Sequence, residues 1–399
     1  MQTNQNTLQK IYLRLCSVSV FYAVAESPLV KAFFAYMEAK TSDEAALRKA
    51  YAQFVKEIYL GGGSLTALVE RLVSEDENVY VKALAQGKPV NEKIAEAATE
   101  ELNAFSEFAA LSSVDFANDM HVGVEELPRY DYEKKDLKEG YARRLKELEK
   151  HGYGIFASYG MFRLSDEKKI EPIVSADKIR VADFIGYEEE RRKVVENTLA
   201  FVEGRPAANT LLCGDAGTGK SSTVKAIANE FFDRGVRLIE LRKDQLSLLP
   251  YVMGKISENP LKFIIFIDDL AFNKSDDNFS MLKAALEGSA SAQAENAVIY
   301  ATSNRRHIIK ESFGDRDGDD VHRNDSMQET LSLSERFGLT VLFSKPDKKL
   351  YLKIVKTLVE RLGVKADWAT VEVQAEAFAL KKGNRSARCA EQFVESLLR

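Results

Sequence analysis

Cysteine is scarce in this chain of 399 residues, which contains three. An odd and sparse set argues against a small secreted protein held together by disulfides. Cys16, Cys213 and Cys389 are widely separated in sequence and form no metal-ligand pattern. We therefore expect a protein of the reducing cytoplasm.

The chain also lacks a long uninterrupted hydrophobic run and a strong excess of one charge. Its most apolar early stretch, residues 11–37, contains Arg14, Glu26, Pro28 and Lys31, whereas a membrane helix needs about 20 apolar residues in succession. The first residues do not resemble a signal peptide either. The 56 Lys and Arg against 61 Asp and Glu give a net charge of −5. This balance disfavours a surface devoted to nucleic acid, but it leaves room for a local basic patch.

The length predicts two or three domains. Residues 1–175 are predicted to form a mostly α-helical N-terminal domain that recognises a partner. Its clearest helix spans residues 43–59, where apolar residues recur at helical spacing before the glycines at 61–63. Residues 94–105 repeat this spacing, and residues 134–150 predict a charged helix whose outer face is solvated.

The composition changes at residues 151–174, which are rich in aromatic residues and glycine and lack helical spacing. This change indicates extended structure or a linker. Five short apolar runs then alternate with helical patterns. This alternation predicts an α/β core at 176–345 with a mainly parallel five-stranded sheet. A helical lid follows at 346–399, and Asp347 is the predicted N-cap of its first helix. The five runs are Thr210–Cys213, Val236–Leu241, Phe263–Ile267, Ala297–Ala301 and Leu339–Phe343.

The segment from Gly214 to Ser221, GDAGTGKS, matches the phosphate-loop pattern G-x-x-x-x-G-K-[ST], with an apolar strand before it and a helix after it. Glycines allow the backbone to approach an anion, and successive N–H groups at a helix N-terminus bind phosphate. Lys220 is expected to reach the β- and γ-phosphates of ATP, and Ser221 to bind Mg²⁺. The predicted nucleotide-binding residues are Gly214, Asp215, Ala216, Gly217, Thr218, Gly219, Lys220, Ser221 and Ser222.

A second acidic motif, FIIFIDD, ends in Asp268 and Asp269. We expect Asp268 to bind the Mg²⁺ side of the phosphates, with Asp269 orienting or deprotonating the attacking water. The alternative is a strand that ends in a turn with two capping carboxylates.

Three further motifs, YATSNRRH, LSLSERFGL and GNRSARCAEQF, follow in an order that resembles AAA+ ATPases. Together with GDAGTGKSSTVKA and FIDDLAF, the first two resemble the bacterial ATP-binding family catalogued as domain of unknown function 815. The resemblance covers residues 180–399. Many relatives have the longer Glu where this chain has Asp269, which leaves the identity of the base open.

The resemblance implies roles for several more residues. Asn304 would contact the γ-phosphate or the attacking water, unless it only makes a turn. Arg336 would reach the nucleotide of a neighbouring subunit, unless it only pairs with Glu335. Arg388 would contact phosphate from the lid, with Arg385 as the competing choice. Ile185 and Tyr187 would lie near the adenine.

Other polar segments are less informative. The basic run Arg305–His307 has several interpretations: contact with DNA, with a partner protein or with phosphate, or a solvated turn. Residues 314–328, with His322, predict a loop rather than a metal site. His121 and His151 are expected to be structural.

These patterns favour an ATPase that uses ATP and Mg²⁺, assembles into a homo-oligomer and acts on an unidentified protein client. An alternative is a nucleotide-gated binding module with slow hydrolysis. A P-loop kinase is a third possibility, which the Asn304, Arg336 and Arg388 series argues against.

Overall fold

The computed structural model describes residues 2–40, 43–270, 294–304 and 336–398, together with 282, 283 and 286. The chain divides into two compact units. The first comprises Met1–Ser158 with Glu258–Pro260, and the second comprises Tyr159–Ser257 with Leu261–Arg399. The division therefore falls within the aromatic segment 151–174, between residues 158 and 159, whereas the sequence places it at 175. Within the described ranges, no helix is both long and apolar enough to cross a membrane.

The first unit is helical in all its regular elements that the structure describes. Short 3₁₀ turns at Val124–Glu126 and Gly154–Ala157 accompany the helices. The α-helices are α1 (Gln2–Cys16), α2 (Tyr22–Ala25), α3 (Pro28–Ala39), α4 (Glu44–Leu60), α5 (Leu65–Glu75), α6 (Val79–Ala85), α7 (Glu92–Ala109), α8 (Ser113–Met120), α9 (Leu137–Lys146) and α10 (Leu148–His151).

Helix α4 shows why these segments fold as predicted. Asp43 caps it by accepting a hydrogen bond from the N–H of Ala46 at 2.7 Å. Tyr51, Phe54 and Ile58 lie on its buried face, and Gly61 ends the helix. These side chains join an aromatic core in which Phe33, Phe54, Phe108 and Phe116 pack ring against ring. The helices predicted at 43–59 and 94–105 are confirmed.

The second unit is built on a seven-stranded sheet. Its strands are β1 (Met161–Leu164), β2 (Ile170–Pro172), β3 (Thr210–Gly214), β4 (Val236–Leu241), β5 (Lys262–Ile267), β6 (Ala297–Ser303) and β7 (Leu339–Phe343), in the order β2-β1-β4-β5-β6-β3-β7. All neighbouring pairs are parallel except β1 with β2. The predicted α/β class with a mainly parallel sheet is confirmed, and the strand count of five is corrected to seven.

The two extra strands come from the segment predicted as extended structure or a linker. Phe162 of β1 pairs with Ile239 of β4 on one side and with Pro172 of β2 on the other. Both strands are short, and β1 pairs with a strand distant in sequence, so local periodicity gives little sign of them.

Helices cover the sheet and form a separate cluster at the C-terminal end of the chain. Those near the sheet are α11 (Glu188–Val202), α12 (Lys220–Glu230) and α13 (Leu249–Ile256), with 3₁₀ turns at Val181–Asp183, Phe232–Arg234 and Lys243–Leu248. The C-terminal helices are α14 (Lys348–Arg361), α15 (Trp368–Lys381) and α16 (Ala387–Leu397). They share a hydrophobic core of their own around Tyr351, Val355 and Phe393. Asp347 caps α14 by accepting from the N–H of Leu350 at 2.7 Å, as predicted.

Candidate nucleotide site

The phosphate loop connects the buried strand β3 to helix α12. Gly214, Gly217 and Gly219 all have positive φ, at 132°, 76° and 87°. A methyl group added to Gly214 would lie 2.1 Å from the carbonyl oxygen of Phe343, so the backbone of β7 excludes any side chain there. The loop is anchored by the N–H of Asp215, which donates to the same carbonyl at 3.1 Å. Lys345 N–H donates to the Asp215 carboxylate at 2.8 Å.

Lys220 lies inside this loop and is only 5% exposed. Its ammonium donates to the carbonyl oxygens of Gly214 and Asp215, at 3.1 and 2.7 Å, and to Asn304 Oδ1 at 3.0 Å. Burial lowers the pKa of Lys220 below its ordinary value, and the nearby carboxylates, Asp215 foremost, oppose that shift. These partners are groups that an anionic ligand can replace.

Ser221 and Asp268 offer oxygen ligands of the type that Mg²⁺ prefers. Ser221 Oγ donates to Asp268 Oδ1 at 2.6 Å, which leaves the lone pairs of the hydroxyl for another partner. The two residues come from α12 and from the end of β5, and the donor set fits a hard divalent cation. Ser222 follows on α12 and is half-buried.

Asp269 takes an unusual backbone conformation directly after Asp268. Its φ is +51°, a left-handed value that few residues other than glycine adopt. Its carboxylate accepts a hydrogen bond from Asn304 Nδ2 at 2.7 Å. Asn304 therefore joins Lys220 through its oxygen and Asp269 through its nitrogen, and the structure brings together these three predicted residues.

Thr302, to which the sequence motifs assign no role, supports both carboxylates. Its hydroxyl donates to Asp268 Oδ1 at 2.5 Å and accepts from the N–H of Asp269 at 3.0 Å. Thr302 lies on β6, next to β5 in the sheet, and is 2% exposed. Its place among three polar residues at a strand end was visible in the sequence, but its partners depend on which strands are adjacent.

The helical C-terminal segment reaches the phosphate loop through the start of α16. The N–H of Arg388 donates to the carbonyl of Gly217 at 3.4 Å. A methyl group on Gly217 would lie 3.0 Å from Ser386 Oγ and 3.4 Å from Arg388 Cβ. The guanidinium of Arg385 instead binds the carboxylate of Glu376 on α15, at 2.9 and 3.2 Å. Of the two candidate arginines, the geometry favours Arg388.

Residues 184–188 lie between the phosphate loop and α14. Ile185 is half-buried against the hydrophobic core of the C-terminal helices. Tyr187 is 7% exposed, its hydroxyl donates to the Ser344 carbonyl at 2.7 Å, and burial raises its pKa to about 12. Its ring is thus a core element of the α/β layer. Phe184, which the motifs did not indicate, contacts the loop more closely, since a methyl group on Gly219 would lie 3.7 Å from its ring.

Arg336 is half-buried and lies just before β7. Leu339 pairs with Thr210 at the start of β3, whereas the phosphate loop follows the other end of β3. At about 3.3 Å per residue, the five residues of β3 separate these two sheet edges by roughly 16 Å. Arg336 is therefore not brought together with its own phosphate loop.

Several predicted features lie outside the described residues: Arg305–His307, residues 314–328 with His322, and Glu335. Among the residues that are described, no group of three or more His, Cys, Asp or Glu side chains is arranged to hold a metal ion. His121 ends α8 in a left-handed conformation, and His151 lies 3.8 Å from Glu147 at the end of α10.

Comparison with solved structures finds the RuvB Holliday junction branch migration motor of Thermotoga maritima, at 13% identity and a TM-score of 0.34 over 55% of this chain and 72% of that one. Two point variants of that motor match at 16% identity and the same TM-score, over 55% and 54% of this chain and 72% of theirs. No curated protein matches the chain significantly.

Residues 157–399, which contain every element of the site described above, match one family along their whole length. The resemblance inferred from the motifs is thereby confirmed. The chain belongs to the family described as protein of unknown function DUF815.

Proposed function

We propose that this chain is an AAA+ type ATPase that binds ATP with Mg²⁺ and hydrolyses it. The observation that carries the proposal is the convergence of Lys220, Ser221, Asp268, Asp269 and Asn304 at the carboxyl ends of three adjacent strands. Ligands of open parallel sheets bind at this edge. The buried Lys220 suits the negative charge of a triphosphate, and the half-buried Asp268 carboxylate suits the Mg²⁺ that accompanies it.

Each residue has a distinct task in this proposal. The loop amides and Lys220 bind the β- and γ-phosphates, and Asn304 contacts the γ-phosphate or the attacking water. Asp269 orients that water and accepts its proton. Magnesium, held by Ser221 and Asp268, supplies charge neutralisation on the phosphate oxygens. Arg388 contacts phosphate from the C-terminal helices, which are proposed to serve as a lid over the site.

Arg336 is proposed to act on the nucleotide of a neighbouring subunit. Its position at the sheet edge opposite its own phosphate loop supports this role. A donated guanidinium stabilises the charge that spreads over the γ-phosphoryl oxygens. The active form is then a homo-oligomer with head-to-tail contacts, and the first unit is free to recognise a protein client.

The Arg336→Ala variant tests the proposal. We expect its turnover to fall about a thousandfold while its ATP affinity stays within about threefold of the parent, because the finger acts mainly in the transition state. Equal losses of turnover and affinity would contradict a role in trans.

Mixing variants makes this test sharper. The Arg336→Ala chain keeps an intact site, and the Asp269→Asn chain keeps its finger. If the finger acts in trans, their mixture hydrolyses ATP faster than the sum of the two separate chains. The matched control mixes Arg336→Ala with the double variant, which offers neither a site nor a finger and restores nothing. If the first mixture recovers no ATP hydrolysis, Arg336 does not act in trans.

A second candidate function is a nucleotide-gated binding module in which hydrolysis is only a slow timer. The hydrogen bond that ties Asp269 to Asn304, and the short reach of an aspartate, favour this candidate. Turnover by the assembled protein separates the two. Hydrolysis of many ATP molecules per subunit each minute supports the ATPase, and fewer than about one supports the nucleotide-gated binding module.

A further inference from the structure

Thr302 is buried at the carboxyl ends of β5 and β6, where the polar residues that follow these strands line the site. It is 2% exposed and lies opposite Leu212 of the phosphate-loop strand β3 in the sheet register. Its side chain and backbone make three hydrogen bonds to residues 268–270. The hydroxyl bonds to Asp268 and Asp269 as described, and its carbonyl accepts from the N–H of Leu270 at 2.7 Å. One residue thus holds the chain as it leaves β5.

The hydroxyl of Thr302 is fully engaged by the two acidic residues. A hydroxyl has a single hydrogen to donate, and Thr302 gives it to Asp268 Oδ1. That oxygen also accepts from Ser221 Oγ at 2.6 Å and from the N–H of Asp269 at 3.1 Å. Three donors on Oδ1 fix the rotation of the carboxylate. Among the described residues none donates a hydrogen bond to Oδ2.

The same hydroxyl supports the left-handed backbone of Asp269. Such a conformation is unfavourable for a residue with a side chain and persists only where the surroundings hold it. The N–H of Asp269 is shared between Thr302 Oγ1 and Asp268 Oδ1. This arrangement directs the Asp269 carboxylate toward Asn304 and Lys220.

We propose that Thr302 is a positioning residue for ATP hydrolysis, whose hydroxyl orients both the Asp268 carboxylate, proposed to bind the metal, and the Asp269 carboxylate, proposed as the base. The inference rests on the proposed function and adds a residue to it. Loss of the hydroxyl removes one of the three donors that orient Asp268 and one of the two acceptors that hold the Asp269 N–H, so metal dependence and turnover change together.

The test compares Thr302→Val, which removes the hydroxyl, with Thr302→Ser, which keeps it. The first measurement is the affinity for ADP by calorimetry, with Mg²⁺ and with EDTA. In Thr302→Val we expect the enhancement of ADP affinity by Mg²⁺ to shrink about ten- to hundredfold, as is typical when a group behind a metal ligand is lost. Affinity in EDTA stays within about twofold, because the loop amides and Lys220 are unchanged.

Turnover is the second measurement. We expect kcat for ATP to fall about ten- to hundredfold in Thr302→Val and to stay within about threefold of the parent in Thr302→Ser. Thr340→Val is the matched control, since it makes the same change at an exposed position of β7. Its metal dependence and turnover stay within about twofold of the parent.

The outcomes are distinguishable. A parental Mg²⁺ effect in Thr302→Val overturns the proposal, as does an equal loss of ADP affinity with and without Mg²⁺, which indicates a purely structural role. If Thr302→Val does not fold, Thr302→Ala replaces it and the same two criteria apply. If the parent chain binds Mg²⁺ and ADP but hydrolyses no ATP, the proposed function fails, and Thr302 is judged on metal dependence alone.

Discussion

The two units hold their carboxylates in different settings: Glu101 is buried, whereas Asp268 is half-buried and Asp269 is exposed. In the first unit, Glu101 accepts hydrogen bonds from the N–H groups of Ser19, Val20 and Phe21 at 2.8 to 3.0 Å. In the second unit, Asp268 and Asp269 are bonded to hydroxyl and amide side chains beside a buried lysine. Backbone donors of the fold itself cannot be released without local unfolding, whereas side-chain donors can turn toward a ligand. The balance of backbone and side-chain donors therefore predicts a structural role for Glu101, and it supports the proposed roles of Asp268 and Asp269.

The largest expected effect concerns Asp269. Replacing it by Asn keeps the size of the side chain and suits the left-handed backbone, since Asn tolerates positive φ. We expect kcat to fall about a thousandfold, as for loss of a general base, with the melting temperature unchanged. A steady-state ATPase assay beside a thermal unfolding scan checks this. Unchanged turnover would show that Asp269 is not the base.

The converse expectation holds for Glu101 in the first unit. Glu101→Ala leaves the N–H groups of residues 19–21 without their acceptor, which costs roughly 2–3 kcal/mol of unfolding free energy. We expect ATP affinity to remain that of the parent, and urea denaturation followed by circular dichroism measures the loss. The neighbouring Glu100→Ala is the control, because this side chain is 74% exposed and its removal changes stability by about 0.5 kcal/mol at most. Equal losses of unfolding free energy in Glu101→Ala and Glu100→Ala would contradict a structural role for Glu101.

The smallest expected effect concerns Asp76, a buried acid with an incomplete set of partners. Its Oδ1 has no hydrogen bond among the described residues, and burial raises its pKa to about 6. Because the folded state binds this proton more tightly than the unfolded chain, with its pKa of about 3.9, the stability of the first unit rises as pH falls from 7 toward 4. Asp76→Asn removes the cost of the charged form and stabilises the unit by about 2 kcal/mol at pH 7.

Denaturation of both chains at pH 5 and pH 7 checks this prediction. The parent is more stable at pH 5 by part of that amount, and the variant loses this dependence on pH. An identical pH dependence in both would assign the titration to another group.

The strands of the second unit differ in how strongly the sequence indicates them. The strands β3 to β7 were located to within a residue or two because buried parallel strands are continuous apolar runs bounded by polar turns. The sequence indicates the segment of β1 only as extended structure or a linker, because its four residues include the exposed Arg163 and its partner β4 is distant in sequence. Sheet membership of such a short strand is decided by tertiary pairing.

The candidate site shows the same division. Its phosphate loop follows from residue types at fixed spacing, which is a local property of the sequence. The contacts of Thr302 arise from the adjacency of β5 and β6, and the preference for Arg388 arises because Glu376 on another helix occupies Arg385. Neither relation is local in sequence, because each depends on which elements are neighbours in the fold.

The amide of Asn304 has one further consequence. It accepts from the Lys220 ammonium through Oδ1 and donates to the Asp269 carboxylate through Nδ2, so one side chain links the positions of a cation and an acid. In the proposed ATPase, a phosphate group that takes Lys220 as its partner would remove the bond to Asn304 Oδ1, and the amide would then be able to turn away from Asp269. Under that proposal the binding of substrate and the activation of the acid are coupled, so a nucleotide too short to reach Lys220 would leave Asp269 bonded to Asn304.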